Sequence, residues 1–240
     1  MKDTRGPHPG APPPLVYAPP ARAPLRTLYV DKDLVIVDKP SGLFSIPGPD
    51  PAHADSALLR IREEHPTALV VHRLDLGTSG VLVFALRRKA EAALRAQFQA
   101  HTIGKRYLAR VVGALTPDEG RVELSLAPDP ERPPLQRVDP HGKPAQTAWT
   151  VRSRTDGTTL VALAPVTGRT HQLRVHLAAL GHPILGDALY APTEVAAAAP
   201  RLLLHAWRLT LAHPWSGVSM TFEAPIPLEL GDVEGAVVEG

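Results

Sequence analysis

A chain of 240 residues that is 44% hydrophobic and 21% charged is long enough for one domain with a substantial core. The absence of cysteine excludes disulfides, thiolate zinc sites and iron–sulfur clusters, and the net charge of +2 neither marks nor excludes a nucleic-acid partner. No apolar run reaches the roughly 18 to 20 residues that cross a bilayer, and no secretory leader is evident, so the expectation is a soluble cytoplasmic protein with no membrane partner; a monomer is also expected.

Residues 1–26 hold eight of the 27 prolines and are expected to form an extended, mobile arm. The ordered part should begin near Thr27. Tyr29 to Val37 reads as a hairpin turning at Asp31–Asp33, and Lys39-Pro40-Ser41-Gly42 breaks its second strand. Ser56 to Glu64 reads as a helix capped by Asp55, with Leu58, Leu59 and Ile61 turned partly inward. Val81 to Ala85 is a buried strand by its unbroken apolar run. Lys89 to His101 is an amphipathic helix, with Ala90, Leu94 and Phe98 at spacings of four.

Tyr107 to Val112 resumes strand character. Glu131 to Lys143 is a polar, proline-containing excursion, and Leu160 to Leu163 is another strand. Thr170 can cap a helix striped by Leu173, Leu177 and Leu180 and stopped by Gly181. Leu202 to His205 and Ser219 to Phe222 complete the strands. The tail, residues 228–240, is acidic and glycine-containing and is expected to fray. Strands outnumber helices without regular alternation. The fold class expected is therefore α+β: a mixed, mostly antiparallel sheet, with one domain over 27–227.

Two segments are dense in polar groups. His72-Arg73-Leu74-Asp75-Leu76-Gly77-Thr78-Ser79-Gly80 reads as a loop against the sheet in which N–H groups and a cation hold a carboxylate ionised; an Asp in such a turn is also a common turn-former. Gly168 to His176 offers Arg174 beside Leu173, either a buried guanidinium needing a carboxylate or a surface side chain lying over the core. Seven basic residues and one acid between Arg87 and Arg110 form either a phosphate-binding cluster or a solvated helix face. No metal site is expected, because His171 and His176 are five apart and no His-Glu-x-x-His pattern occurs. Ser79 lacks the frame of a hydrolase nucleophile, and the Asp75 segment offers one carboxylate where a glycosidase would usually need two.

Taken together, these segments resemble the RluA-type pseudouridine synthases. His72-Arg73-Leu74-Asp75 with Thr78-Ser79-Gly80 is similar to the family's catalytic motif. Asp38 to Leu43 is similar to its upstream loop, Lys105 to Ala109 to its tyrosine motif, and Gly168 to His176 to its arginine motif. Gly181 to Asp187 and Leu202 to Ala206 also match, so the resemblance spans about residues 27 to 226. Gly142 to Thr147, Arg201 to Ala206 and the lack of an S4 domain are most similar to the branch that modifies both 23S ribosomal RNA and tRNA. Arg132 to Gln136 is more loosely similar to that branch's RNA-facing insertion.

The resemblance implies the pseudouridine synthase fold, with helices and loops around a central cleft. It implies conversion of uridine to pseudouridine in 23S rRNA and tRNA stem-loops. It implies no cofactor, which suits an isomerisation. It makes Asp75 the catalytic carboxylate and Arg174 its bidentate partner. Tyr107 would stack on the uracil and help remove the C5 proton, although a strand aromatic at that position also reads as core filling. Arg73 would occupy the stack vacated by a flipped uridine. Lys105, Arg137, Lys143, Arg169 and His171 are further candidate RNA contacts. The alternatives are a synthase of the same family with another RNA target and a non-catalytic RNA-binding module on the same fold.

Overall fold

The computed structural model describes residues 17–231. Twelve strands occupy Arg26–Val30 (β1), Leu34–Lys39 (β2), Leu69–Val70 (β3), Ser79–Ala85 (β4), Gly104–Val112 (β5), Glu119–Glu123 (β6), Leu126–Pro128 (β7), Gln136–Val138 (β8), Gln146–Thr155 (β9), Thr158–Pro165 (β10), Leu204–Ala212 (β11) and Ser219–Glu223 (β12). Four α-helices occupy Ala57–Glu64 (α1), Arg88–Gln99 (α2), Gln172–Ala179 (α3) and Thr193–Ala197 (α4). Ten strands join in one sheet ordered β1-β2-β4-β11-β5-β10-β9-β6, with β12 beside β11 and β3 beside β4; β7 and β8 form a separate hairpin. The α+β expectation holds. Every strand pair is antiparallel except β4 with β11, which run parallel through Ser79–His205 and Gly80–Ala206.

The unbroken apolar run of β4 follows from burial on both faces. Leu82 and Phe84 join Val35, Val37, Leu58 and Ile61 in a core under α1. Val81, Val83 and Ala85 join Leu34, Ile36, Ala90 and Leu94 in a second core under α2. A third and larger core lies among β5, β10, β11 and α3, with Leu108, Leu160, Leu173 and Leu177 inside it. Gly80 permits the parallel contact: its φ is +110°, and a Cβ there would lie 2.2 Å from the Ala206 carbonyl oxygen. The parallel pair places the start of β4, and hence the loop before it, at the middle of the sheet.

Both helix caps differ from expectation. Ser56, not Asp55, caps α1, its Oγ accepting from the Leu59 N–H. Asp55 instead accepts two bonds from the Arg60 guanidinium, at 3.0 and 2.7 Å, which allows Arg60 to be buried on that helix. Leu59 is exposed, whereas Leu58 and Ile61 are buried as expected. At α3 the N-cap is His171, at φ 54°, in place of Thr170.

The domain boundaries also move outward. Tyr17 packs its ring on Phe44 and donates its hydroxyl to the Asp55 carbonyl at 2.7 Å. Arg60 donates to the carbonyls of Pro20 and Ala21. Proline prevents helix and strand in this stretch, but its carbonyls remain good acceptors, and a buried arginine uses them. The expected arm therefore belongs to the fold from residue 17, and residues 1–16 lie outside the described residues. At the other end, Leu230 is fully buried and its carbonyl accepts from Arg110 Nε at 2.9 Å, so the tail packs as far as residue 231 and residues 232–240 lie outside the description.

Candidate active site

Asp75 stands in the loop between β3 and β4, and the residues after β2 clasp that loop on both sides. Ser45 bonds Leu74 twice, its Oγ donating to the carbonyl and accepting from the N–H. Beyond Asp75, Gly42 N–H donates to the Leu76 carbonyl and Ser41 Oγ to that of Gly77. Lys39 is wholly buried beneath this clasp, its Nζ donating to the carbonyls of Leu43 at 2.7 Å, Pro40 at 2.9 Å and Leu76 at 3.3 Å. Burial pushes its ammonium down to about 7, and the charge of Asp75 partly offsets that shift. The Asp38–Leu43 segment, which breaks a strand, thus also supports the functional loop.

The Asp75 carboxylate opens into a cavity of about 670 Å³ whose walls come from the Phe44–Ile46 turn, His72–Leu76, β5 through Lys105 and Tyr107, and the 167–174 segment. That volume falls within the range of small-molecule sites, roughly 300–1,000 Å³. Arg174 reaches Asp75, but not as its bidentate partner: Nη1 lies 3.8 Å from Oδ2. The two-bond partner is Asp187, which accepts from Arg174 Nε at 2.8 Å and from Nη2 at 2.6 Å with both side chains buried. A guanidinium with five donors can serve two carboxylates along different edges, and here the deeper one takes the better geometry. Asp187 Oδ1 also accepts from the backbone N–H of Leu189 and Tyr190.

Tyr107 lies beside Asp75 in the cavity wall, and burial together with the Asp75 charge holds its hydroxyl firmly protonated. This argues against a tyrosinate as the base for the C5 proton and leaves the ring face as the contribution of this side chain. His72 is held by the Val83 N–H, which donates to its Nε2 at 3.1 Å, and by stacking on Phe98. Burial pushes it down to about 3, so it is a neutral structural group.

Of the candidate RNA contacts, the fold brings Arg73, Lys105, Arg169 and His171 into the cavity wall. Arg73 is exposed at its mouth. Lys105 donates to the Thr167 carbonyl at 3.0 Å, and burial pushes it down to about 8. Arg169 donates to the Pro144 carbonyl. Arg137 and Lys143 are not among the lining residues; Arg137 is on the β7–β8 hairpin and pairs with Asp139 at 3.1 Å, while Lys143 bonds Leu126 through its backbone. The basic run from Arg87 to Arg110 does not form one patch. Arg88 and Arg95 pair with Glu91, Arg110 is tied to Leu230, and Lys105 faces the cavity.

Residue-level reading of the chain missed Asp187, Tyr190, Lys39 and Gln172. Gln172 accepts from Thr167 and the Arg169 N–H and donates to Gln146 and Thr147, fixing the loop that precedes α3. One metal-capable group exists among the described residues, Asp31, Asp33 and His213, away from the cavity lining. There His213 Nδ1 faces two backbone N–H donors, so its Nε2 carries the proton that bonds Asp31 at 2.8 Å, an arrangement that suits a hydrogen bond better than metal ligation.

Comparison with known proteins gives a consistent result. Residues 33–179 match the model of the RNA pseudouridylate synthase family. The dual-specificity RNA pseudouridine synthase RluA of Escherichia coli is 52% identical over 211 residues, covering 87% of this chain and 96% of that protein. RluA of Pasteurella multocida is 44% identical with the same coverage. Among solved structures, human RNA pseudouridylate synthase domain containing 1 superposes with a TM-score of 0.73 at 27% identity, covering 86% of each chain.

Proposed function

The chain belongs to the RNA pseudouridylate synthase family, and from that membership we propose that it isomerises uridines in both 23S ribosomal RNA and the tRNA anticodon stem-loop, with Asp75 as the catalytic carboxylate. It is an RNA pseudouridine synthase; the choice of RNA and the roles of individual residues are the proposal. One observation carries the assignment of Asp75: its carboxylate opens into the cavity while Arg174, itself anchored on Asp187, stands 3.8 Å away.

In the reaction the N1–C1′ bond breaks, the uracil turns, and a C5–C1′ bond forms as C5 loses a proton and N1 gains one. Atoms and electrons therefore balance without a cofactor. Attack at C6, capture of C1′ and removal of a sugar proton all start from an ionised carboxylate, and the Arg174 cation stabilises that charge without covering it. Tyr107 offers its ring face to the detached base, and a base held by stacking can turn within its plane. A uridine reaches Asp75 only after leaving its stack, so the enzyme flips it, and Arg73 at the mouth fills the gap.

A stem-loop substrate suits a site reached through one cavity, because splayed bases and backbone shape carry the recognition. No described helix is long and apolar enough to cross a membrane. Our reading of the chain is a monomer of the cytoplasm that meets RNA there. The test gives purified protein an anticodon stem-loop, a 23S-derived stem-loop and scrambled-loop controls, and maps pseudouridine in each. Modification of both true loops and neither control is expected. Modification of one true loop alone would assign a narrower target, and equal modification of the scrambled loops would refute loop recognition.

A further inference from the structure

Behind Arg174, outside the cavity lining, lies Tyr190. Its ring packs under the guanidinium, with Arg174 Cζ 5.0 Å from the ring centroid. Its hydroxyl accepts from the Gln136 N–H of β8 at 2.9 Å and meets His171 Nδ1 at 2.6 Å. Burial lowers the His171 pKa, which favours the neutral ring; with Nδ1 as the acceptor, the hydroxyl that accepts from Gln136 donates its own proton to His171. The Tyr190 backbone N–H donates to Asp187, the carboxylate that holds Arg174. One side chain therefore touches three things: the hairpin β7–β8, the residue that starts α3, and the arginine of that helix.

Two features show that this contact bears on geometry. His171 sits at φ 54°, a left-handed conformation that costs a non-glycine residue energy and persists only where its surroundings hold it. The Tyr190 hydroxyl is one such hold, three residues before Arg174. Across the joint, Pro134 at the end of the hairpin lines the cavity, so the hairpin is both a wall of the site and a surface beside it.

We propose that Tyr190 is a positioning residue that locks the β7–β8 hairpin to the start of α3 and thereby fixes the Arg174 guanidinium relative to Asp75. The inference rests on the synthase reading above. It concerns a group that does not line the substrate cavity and acts through Arg174.

Tyr190→Phe keeps the ring beneath Arg174 and removes only the hydroxyl. The experiment measures single-turnover pseudouridine formation on a stem-loop at saturating enzyme, RNA affinity by filter binding, and hydrogen exchange of the Gln136 amide, all well below the melting temperature. The saturated rate should fall about tenfold, as for loss of one well-placed hydrogen bond in a transition state. Affinity should stay within about threefold, and the Gln136 amide should lose protection. A saturated rate equal to wild type would overturn the positioning role, as would a loss confined to affinity. Wild-type protection at Gln136 would overturn the joint to the hairpin. If Tyr190→Phe does not fold, His171→Asn reads the same joint from its other side, since Asn tolerates the left-handed backbone but does not reach the hydroxyl. Because His171 also lines the cavity, the expected result is the same rate loss with affinity within about threefold and reduced protection at Gln136, and a loss confined to affinity, or wild-type protection, would overturn the joint. Wild-type protein that forms no pseudouridine would defeat the synthase reading itself, a result distinct from any of these.

Discussion

Replacing Asp187 by Asn separates the two carboxylates that share Arg174. The substitution keeps shape but leaves one acceptor where there were two and turns the other position into a donor. That donor then faces a guanidinium N–H in either orientation, and at the Oδ1 position the backbone N–H groups of Leu189 and Tyr190 as well, all of which are donors themselves. The Arg174 and Asp187 side chains are 7% and 1% exposed, so neither charge can turn to water. Removing one member of such a pair costs about 3 to 5 kcal/mol. For a chain of this size each kcal/mol shifts the melting temperature by about 2 to 4 °C, which gives a fall of roughly 6 to 20 °C. Asp75 gives the contrast. Its side chain is 27% exposed and its oxygen lies 3.8 Å from Nη1, so loss of its charge should cost about 0 to 1 kcal/mol. Calorimetry and denaturant melts of Asp187→Asn and Asp75→Asn, run side by side, test this. The first variant should melt much lower and the second close to wild type. Equal melting temperatures for wild type and Asp187→Asn, or a larger loss in Asp75→Asn, would show that Asp187 does not anchor Arg174.

Asp75→Asn should abolish turnover while RNA binding stays within about a few fold, since an amide keeps the shape without the charge; pseudouridine made by this variant, free of wild-type enzyme, would defeat the assignment. Tyr107→Phe should retain activity, slowed at most at completion, and the rate–pH curve should keep its shape, because a hydroxyl whose pKa is raised stays protonated across the working range; a lost inflection on the alkaline side would show the hydroxyl titrating in catalysis. Lys39 titrates near 7 when folded and at its ordinary value of 10.5 when unfolded, so between those values the unfolded chain binds more protons and stability should rise with pH. Against Lys39→Met as reference, denaturant melts should show that rise at up to about 1.4 kcal/mol per pH unit, and a difference that is flat or falls from pH 7 to 9 would refute it. A chain beginning at Leu25 should melt below one beginning at Tyr17, because Arg60 loses its carbonyl acceptors and Phe44 its ring partner; equal melting would mean that those contacts contribute nothing.

What the sequence disclosed follows from the range of the interactions involved. The hairpin turn at Asp31–Asp33, the helix with Ala90 and Leu94 inward, and the strand Val81–Ala85 are written in local periodicity, and the structure agrees. The caps failed where two local candidates were adjacent. Asp55 and Ser56 are both good capping residues, and only Arg60, turning back on Asp55, decides between them. The arm was misjudged for a related reason: proline rules out regular structure but says nothing about whether free carbonyls find a buried arginine. Asp75, Tyr107 and Arg174 converge on one cavity although they come from a loop, a strand and a helix, and motif resemblance brought them together where spacing alone did not. Asp187 lay inside a matched segment, yet its role was invisible, since a 13-residue separation carries no geometric signal.

The placement of basic groups around Asp75 explains why its carboxylate remains available. Two basic side chains stand near it, and each has its best-placed donors committed elsewhere, only Arg174 Nη1 facing the carboxylate, at 3.8 Å. Arg174 spends Nε and Nη2 on Asp187, and Lys39 spends its ammonium on the carbonyls of Pro40, Leu43 and Leu76. A direct bidentate pair would occupy the lone pairs that a nucleophile or base must use, and would have to break during the reaction. A cation held by another acceptor acts through its field while the reacting oxygen stays open, and because its position is fixed in advance it costs no reorganisation when charge moves. The expense falls on folding instead, as a buried ion pair and a buried ammonium, and these are the terms that the Asp187 and Lys39 variants measure.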